Sequence, residues 1–371
     1  MSALDALELR AGPKALAHIK AHGLRAMDVA AIPAAAGGPK GLILQALDQW
    51  LFGTWLPSAP RTRSLTGASI GAWRMAAACH ADPVAAFKRL GDCYAEQRYP
   101  KNPSPELIRD MCLQLLADFM DGHEQEIVGN AQYRLHILAA RGLGRLSAPR
   151  SKNAVALGFI GATLSNTLAR KHLAGHLERV IVGDGRDRLA WLRSGDGFGF
   201  DEFTTRRATL TADNLAAALL SSGTLPMVMP PVAAIPGAPQ GTYWDGGLID
   251  YHLSFPYHKL HSDTAPGLVL YPHFGPRIVP GWLDKAMPWR HSLPKARRDW
   301  YDNVVLLSPS PAFLATLPRG KLLDRKDFHH YGLDHDARIR DWQQAIDQAQ
   351  QLRDEFAAFV ERPDVSKILP L

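Results

Sequence analysis

Residues 67–71, Gly67-Ala68-Ser69-Ile70-Gly71, enclose a serine between two glycines, after residues that read as a strand and before an apolar helical segment. A serine on an ordinary surface loop has no need of such neighbours. At a sharp strand-to-helix turn it does, because the main chain passes close on both sides, where a Cβ would clash. That geometry projects the hydroxyl outward as a nucleophile. It also places the side chain at a helix start, where amide N–H groups favour developing negative charge. As a bare pattern, the same five residues fit a tight turn with a satisfied hydroxyl.

A second stretch, "AAAGGPKGL" (34–42), is a glycine-rich strand-to-helix turn, an arrangement whose amides point at a docked anion. A nucleotide P-loop needs Gly-Lys followed by Ser or Thr, but Gly41 follows Lys40 here, and G-x-G-x-x-G is not met. The remaining use is an oxyanion hole for a tetrahedral acyl intermediate. Pro39 has no N–H, so the amides of Gly37, Gly38 and Lys40 are the candidate donors. A third stretch, "YWDGGLIDY" (243–251), sets Asp245 before Gly246 and Gly247 at a strand end, a sequence that fits a common Asp-Gly turn equally well.

In this order the three elements resemble the patatin-like phospholipase family: a glycine-rich turn with a following basic residue, then G-x-S-x-G, then a distant D-G-G or D-G-A. A helix ending in a Ser-Ser passage before proline, as in "AAALLSSGTLPMVMPP", commonly lies between the last two. The likeness runs over about residues 28–260. It implies an α/β fold with a largely parallel central sheet between helical layers, and helical insertions. It also implies a Ser-Asp dyad in which Ser69 attacks an ester carbonyl and Asp245 accepts its proton. The amides of Gly37 and Gly38 would stabilise the oxyanion, with Gly41, Gly67, Gly71, Gly246 and Gly247 as motif glycines. Lys40 stands where the family usually has arginine and is expected to pack the turn. Two departures are visible. Ala35 and Ala36 replace the acidic residue and first glycine of the family's turn, and Leu248-Ile249-Asp250-Tyr251 replaces the Asn-Pro that often follows D-G-G.

An exposed aspartate near its ordinary pKa of about 3.9 is a poor base for an alcohol. Burial raises that pKa, so the dyad requires a buried Asp245. Two alternatives stay open. One is a Ser-His-Asp hydrolase using Ser69, Asp245 and His252, His258 or His273. The other is a catalytically silent lipid-binding protein on the same scaffold.

The elements that must position these residues read as alternating strands and helices, which argues for a mostly parallel sheet. Strands are expected from Met27 up to a break at Gly37-Gly38, at "TRSLTGAS" (62–69) and at the β-branched runs "RVIVGD" (179–184), "GLVLYP" (267–272) and "NVVLLSP" (303–309). Residues 1–27 read as a helical extension and 83–145 as mostly helical. Residues 211–226 read as a helix capped by Thr211 or Asp213 with a glycine-containing stop, and 334–363 as one long amphipathic helix. Residues 261–371 are expected to complete the sheet within one compact domain.

The chain has 371 residues, 46% hydrophobic and 21% charged, with a formal net charge of +6. That is an ordinary globular balance, and no nucleic-acid motif accompanies the charge. Cys79, Cys93 and Cys112 lack metal or redox spacing and read as buried thiols in a reducing compartment. The first twenty residues lack a signal-peptide layout, and no apolar run is long enough to span a bilayer. The expectation is a cytoplasmic protein acting on a lipid or other acyl ester, with peripheral membrane contact through the tryptophan-rich stretches 47–57 and 280–300 as an option. Nothing calls for a cofactor or metal. The His/Asp-rich run 324–336 fits no ligand spacing and reads as a surface turn.

Overall fold

A computed structural model describes residues 5–187, 201–260, 267–291 and 295–371. Ten strands of these residues form one sheet, ordered β10-β1-β9-β8-β2-β3-β4-β5-β6, with β7 paired on β4. They are β1 (Leu7–Ala11), β2 (Val29–Ala34), β3 (Arg63–Ala68), β4 (Tyr133–Gly142), β5 (Leu177–Gly183), β6 (Thr205–Thr209), β7 (Tyr243–Asp245), β8 (Leu268–Pro272), β9 (Val304–Pro309) and β10 (Leu369–Pro370). The run β9-β8-β2-β3-β4 is parallel throughout. Antiparallel joints lie at β1–β9, β4–β5 and β4–β7. Helices cover the sheet, as expected for a mostly parallel α/β architecture. Strands β2, β3 and β9 are buried along their whole length, so they read as continuous apolar or small-residue runs rather than alternating ones.

Three expectations change. The amino-terminal stretch begins with a strand: β1 inserts between β9 and β10 before the helix Pro13–His22 starts. The segment 83–145, expected as mostly helical, ends in β4, which lies between β3 and β5 in the sheet. Its Leu, Ala and Arg residues are good helix formers, but β4 pairs with β3 and then β7 along one edge and with β5 on the other, and this tertiary pairing overrides local propensity. The carboxy-terminal helix is two helices, His335–Gln348 and Gln350–Glu361, meeting at Ala349. No proline or glycine marks that break. Packing sets it, because Trp342 and Ala345 before the joint and Leu352, Phe356 and Phe359 after it all face the core.

The glycine turn is tied to the helix that follows Ser69 by a buried ion pair. Gly38–Leu44 forms a 3₁₀ turn continuing into the helix Gln45–Trp50, which carries Asp48. Asp48 accepts two hydrogen bonds, at 2.7 and 2.8 Å, from Arg74 on the helix Ile70–Ala78. Both side chains are buried. Burial raises the Asp48 pKa against the pull of Arg74. Deleting one partner would strand a charge in the core. Asp48→Ala is therefore expected to destabilise the fold by about 3–5 kcal/mol, read as a lowered denaturant midpoint; an unchanged midpoint would show that this pair does not hold the two elements together.

Candidate active site

Ser69 occupies the turn between β3 and the helix Ile70–Ala78, with φ 56° and ψ −131°. A non-glycine residue rarely adopts this conformation, which costs on the order of 1–3 kcal/mol and persists only where its surroundings fix it. Those surroundings are main chain. A Cβ on Gly71 would drive into the carbonyl of Ala34, and one on Gly67 would meet the backbone of Gly71 and Ala72. The two flanking glycines let β2, β3 and the helix start converge around the serine.

Ser222 holds the turn from the other side. The Ser69 amide donates to Ser222 Oγ at 2.8 Å, and Ser222 Oγ donates to the Leu138 carbonyl of β4 at 2.6 Å. Two residues on, the Thr224 carbonyl accepts from the Asp245 amide at 2.8 Å. The end of the helix Ala212–Gly223 thus braces both Ser69 and Asp245, although they lie far apart in sequence. Sequence reading recognised the Ser-Ser passage but gave Ser222 and Thr224 no role, because neither hydroxyl nor carbonyl advertises a distant partner. Thr211 caps this helix, and Asn214 completes a capping box with it.

Asp245 ends β7, paired with Ala139 of β4. It is 4% exposed and Ser69 9%. Both border one small cavity of about 10 Å³, room for a single water, together with Ala36, Gly37, Gly247 and Arg325. The Gly247 amide donates to Asp245 Oδ1 at 2.7 Å. A Cβ on Gly246 would strike the Leu138 carbonyl, and one on Gly247 would stand 2.7 Å from the Ala36 Cβ, so these glycines let the carboxylate loop sit directly on β4 and the glycine turn. Burial pushes the Asp245 pKa up to about 6; the Ser69 hydroxyl, the Gly247 N–H and the Arg325 charge each pull it partly back.

The glycine turn lies opposite. Gly37 borders the small cavity, and Gly38, at φ 57°, borders a larger one. Among the described residues no acceptor takes the Gly37 or Gly38 N–H. The Lys40 side chain points away from Ser69, 3.7 Å from Asp324 and over the Phe274 ring, and does not border either cavity. Gly41 packs beneath Ile70 and Arg74. Ala36, at the altered turn position, donates its amide to the Tyr251 carbonyl at 2.8 Å, joining the turn to the loop after Asp245.

That loop departs from Asn-Pro, and its Asp250 is buried in a two-bond pair with Arg179 of β5, at 2.6 and 2.7 Å. Asp284 is a second anchor. It accepts from Asn166, Arg170, Arg290 and the Gly281 amide, while Arg170 also donates to the Ile249 carbonyl. This network fixes the segment that brings Trp282 to the cavity wall.

The histidines considered for a triad lie elsewhere. His252 Nδ1 accepts from the Val279 amide and His273 Nδ1 from the Gly275 amide, and His258 sits 3.5 Å from Asp299. None of the three borders either cavity. Burial drives His252 well below the ordinary imidazole pKa and His273 down to about 3.

A much larger cavity, about 900 Å³, opens from the other side of Ser69. Ile70, Trp73, Ile108, Leu225, Met229 and Phe328 give it apolar walls. Trp50 and Trp55, in the first tryptophan-rich stretch, stack on each other and meet Phe356 edge-on in the core. In the second, Trp300 is buried and Trp289 is 70% exposed.

The patatin-like phospholipase model matches residues 36–253, more than half of the chain, from the glycine turn past Asp245. The chain belongs to the patatin-like phospholipase family. A comparison with curated proteins gives no match. Membership implies lipid acyl hydrolase chemistry. No described helix of this family member is long and apolar enough to cross a membrane.

The raised pKa has a stability consequence. The folded protein holds the Asp245 proton more tightly than the unfolded chain, so stability falls as pH rises from about 4 to about 6, and the full cost persists above that range. Asp245→Asn removes an ionisable group from this site. Its thermal melting point is expected to exceed the wild type's at pH 8, by the equivalent of about 2–3 kcal/mol, with the gap narrowing toward pH 4. A variant less stable at pH 8 would contradict this cost.

Proposed function

We propose that this protein is a serine hydrolase of lipid carboxylic esters, working through a Ser69–Asp245 dyad and an acyl-enzyme intermediate. One observation carries the reading: a strained serine and a buried carboxylate with a pKa near 6 border a single small cavity beside glycine amides that have no acceptor among the described residues.

The chemistry follows from that placement. Asp245 is ionised at neutral pH, yet it is a stronger base than an exposed carboxylate. It takes the Ser69 proton as Oγ attacks the ester carbonyl, and the Gly37 and Gly38 amides receive the oxyanion. Ser69's own amide is engaged by Ser222 and so is not a donor for this charge. Collapse of the tetrahedral intermediate expels the alcohol, which takes the proton back from Asp245. Water then attacks the acyl carbonyl as it loses a proton to Asp245, and Asp245 returns that proton to Ser69 Oγ as the second tetrahedral intermediate collapses and the acid leaves. The apolar 900 Å³ cavity beside Ser69 accommodates an acyl chain, and exposed Met227, Val228 and Leu333 on its border supply an apolar rim for contact with a lipid surface.

The test is hydrolysis of a mixed lipid extract with product identification. Wild type is expected to release fatty acid, whereas Ser69→Ala and Asp245→Asn lose at least a thousandfold in rate. The rate kcat/KM should rise with pH through about 6, where Asp245 loses its proton, and then level off. Alanine at His252, His258 or His273, or at His329 and His335 on the larger cavity, should leave turnover intact. Loss of turnover in one of these histidine variants, without loss of folding, would favour a triad instead.

A further inference from the structure

Arg325 lies in the 324–336 run that sequence reading assigned to a surface turn, and beyond the segment matched by the family model. The fold delivers it to the site. It immediately precedes the helix Lys326–Tyr331 and borders both the small cavity and the 900 Å³ cavity, beside Ser69. Its Nε lies 3.4 Å from where a Cβ on Gly38 would stand, next to the Tyr94 hydroxyl.

The other arginines that brace this region are paired: Arg74 with Asp48, Arg179 with Asp250, and Arg170 with Asp284. Arg325 is half-buried, and among the described residues no carboxylate lies within ion-pair distance of it and no acceptor hydrogen-bonds to it. Asp324, its neighbour in sequence, is turned toward Lys40. Asp245 feels the Arg325 charge only as a minor influence. The larger cavity repeats the imbalance: Lys101, Arg325 and Lys326 border it, with no Asp or Glu among its described lining. A partly desolvated guanidinium presents a planar set of donors that matches phosphate or carboxylate oxygens in two-bond geometry. Beside a reacting serine, the missing acceptor is most simply part of the substrate.

We propose that Arg325, with Lys326 and Lys101 along the cavity, selects acyl esters that carry an anionic oxygen group, phosphate or carboxylate, near the scissile ester, in preference to neutral esters. This rests on the hydrolase reading above and names the substrate class for the same site. Arg325 is a specificity-determining residue here; the proton transfers stay with Ser69 and Asp245.

Two measurements separate this inference from that reading. The first compares kcat/KM for a phosphatidic acid and the diacylglycerol with the same acyl chains, each dispersed in neutral detergent micelles, with a diacylglycerol hemisuccinate as the carboxylate arm. Wild type is expected to prefer an anionic ester by roughly 10–100-fold, carried mainly by KM. Arg325→Gln should bring that ratio close to one, and Arg325→Lys should restore part of it. A phosphatidic acid preference without a hemisuccinate preference assigns the site to phosphate, and the reverse assigns it to carboxylate. Equal rates on all three esters in wild type, or a preference that survives Arg325→Gln, would overturn the proposal, as would an equal loss on charged and neutral esters.

The second measurement needs no turnover. Dodecyl phosphate and laurate, but not dodecanol, are expected to raise the melting temperature of Ser69→Ala, and the shift should vanish in the Ser69→Ala, Arg325→Gln double variant. An anion-dependent shift in a protein that hydrolyses no ester would sink the hydrolase reading and leave the anion site standing. Hydrolysis without any such shift would do the opposite.

Discussion

The site depends on main chain packed against main chain. Ser69 can hold a left-handed φ only because β2, β3 and the start of the following helix meet around it with no side chains between them. Gly71 faces the carbonyls of Ala34 and Ala35, and Gly67 faces the Gly71–Ala72 backbone. The same contact sets the glycine turn beside the serine, since Ala34 ends β2 and Gly37 follows three residues later. Ser222 closes the arrangement by taking the Ser69 amide. The strain of order 1–3 kcal/mol is offset by a frame that cannot relax without separating strands.

The buried carboxylates divide by whether a cation answers them. Asp48, Asp250 and Asp284 each meet an arginine at 2.6–2.9 Å and serve as anchors, for the helix that follows Ser69, the loop after Asp245 and the segment carrying Trp282. Asp245 has a main-chain N–H and a hydroxyl neighbour but no ion pair among the described residues, and burial therefore keeps its proton affinity high. Comparable burial with different partners yields ion-paired posts in one case and a carboxylate without an ion pair among the described residues in the other.

The carboxy-terminal third belongs to the same body. Strands β8 and β9 lie beside β2 in the sheet, and the run around residue 325 reaches the glycine turn. The matched family segment ends at residue 253, yet the described cavity next to Ser69 is walled in part by Arg325, Lys326, Phe328 and Leu333. Chain outside that segment therefore supplies part of the wall of this cavity, in keeping with loop and terminal elements being positioned by a rigid scaffold.

The sequence by itself determined the local patterns: a serine between glycines, a glycine-rich turn that is not a nucleotide loop, an Asp-Gly-Gly after a strand, and the short β-branched runs of the sheet. These were legible because close backbone approach and a fully buried parallel strand each restrict residue type at fixed spacing. Three kinds of feature were decided only by the tertiary structure. β4 is a strand despite helix-forming residues, because pairing on both edges outweighs propensity. The final helix breaks at Ala349, between buried Trp342 and Ala345 on one side and Leu352, Phe356 and Phe359 on the other, where no local helix breaker stands. Ser222, Thr224 and Arg325 acquire their places from elements distant in sequence, and an unpaired arginine looks the same in a linear chain as a solvated one. The difference is physical: local sterics act between neighbours along the chain, whereas burial and charge pairing exist only once distant segments share a volume from which water is excluded.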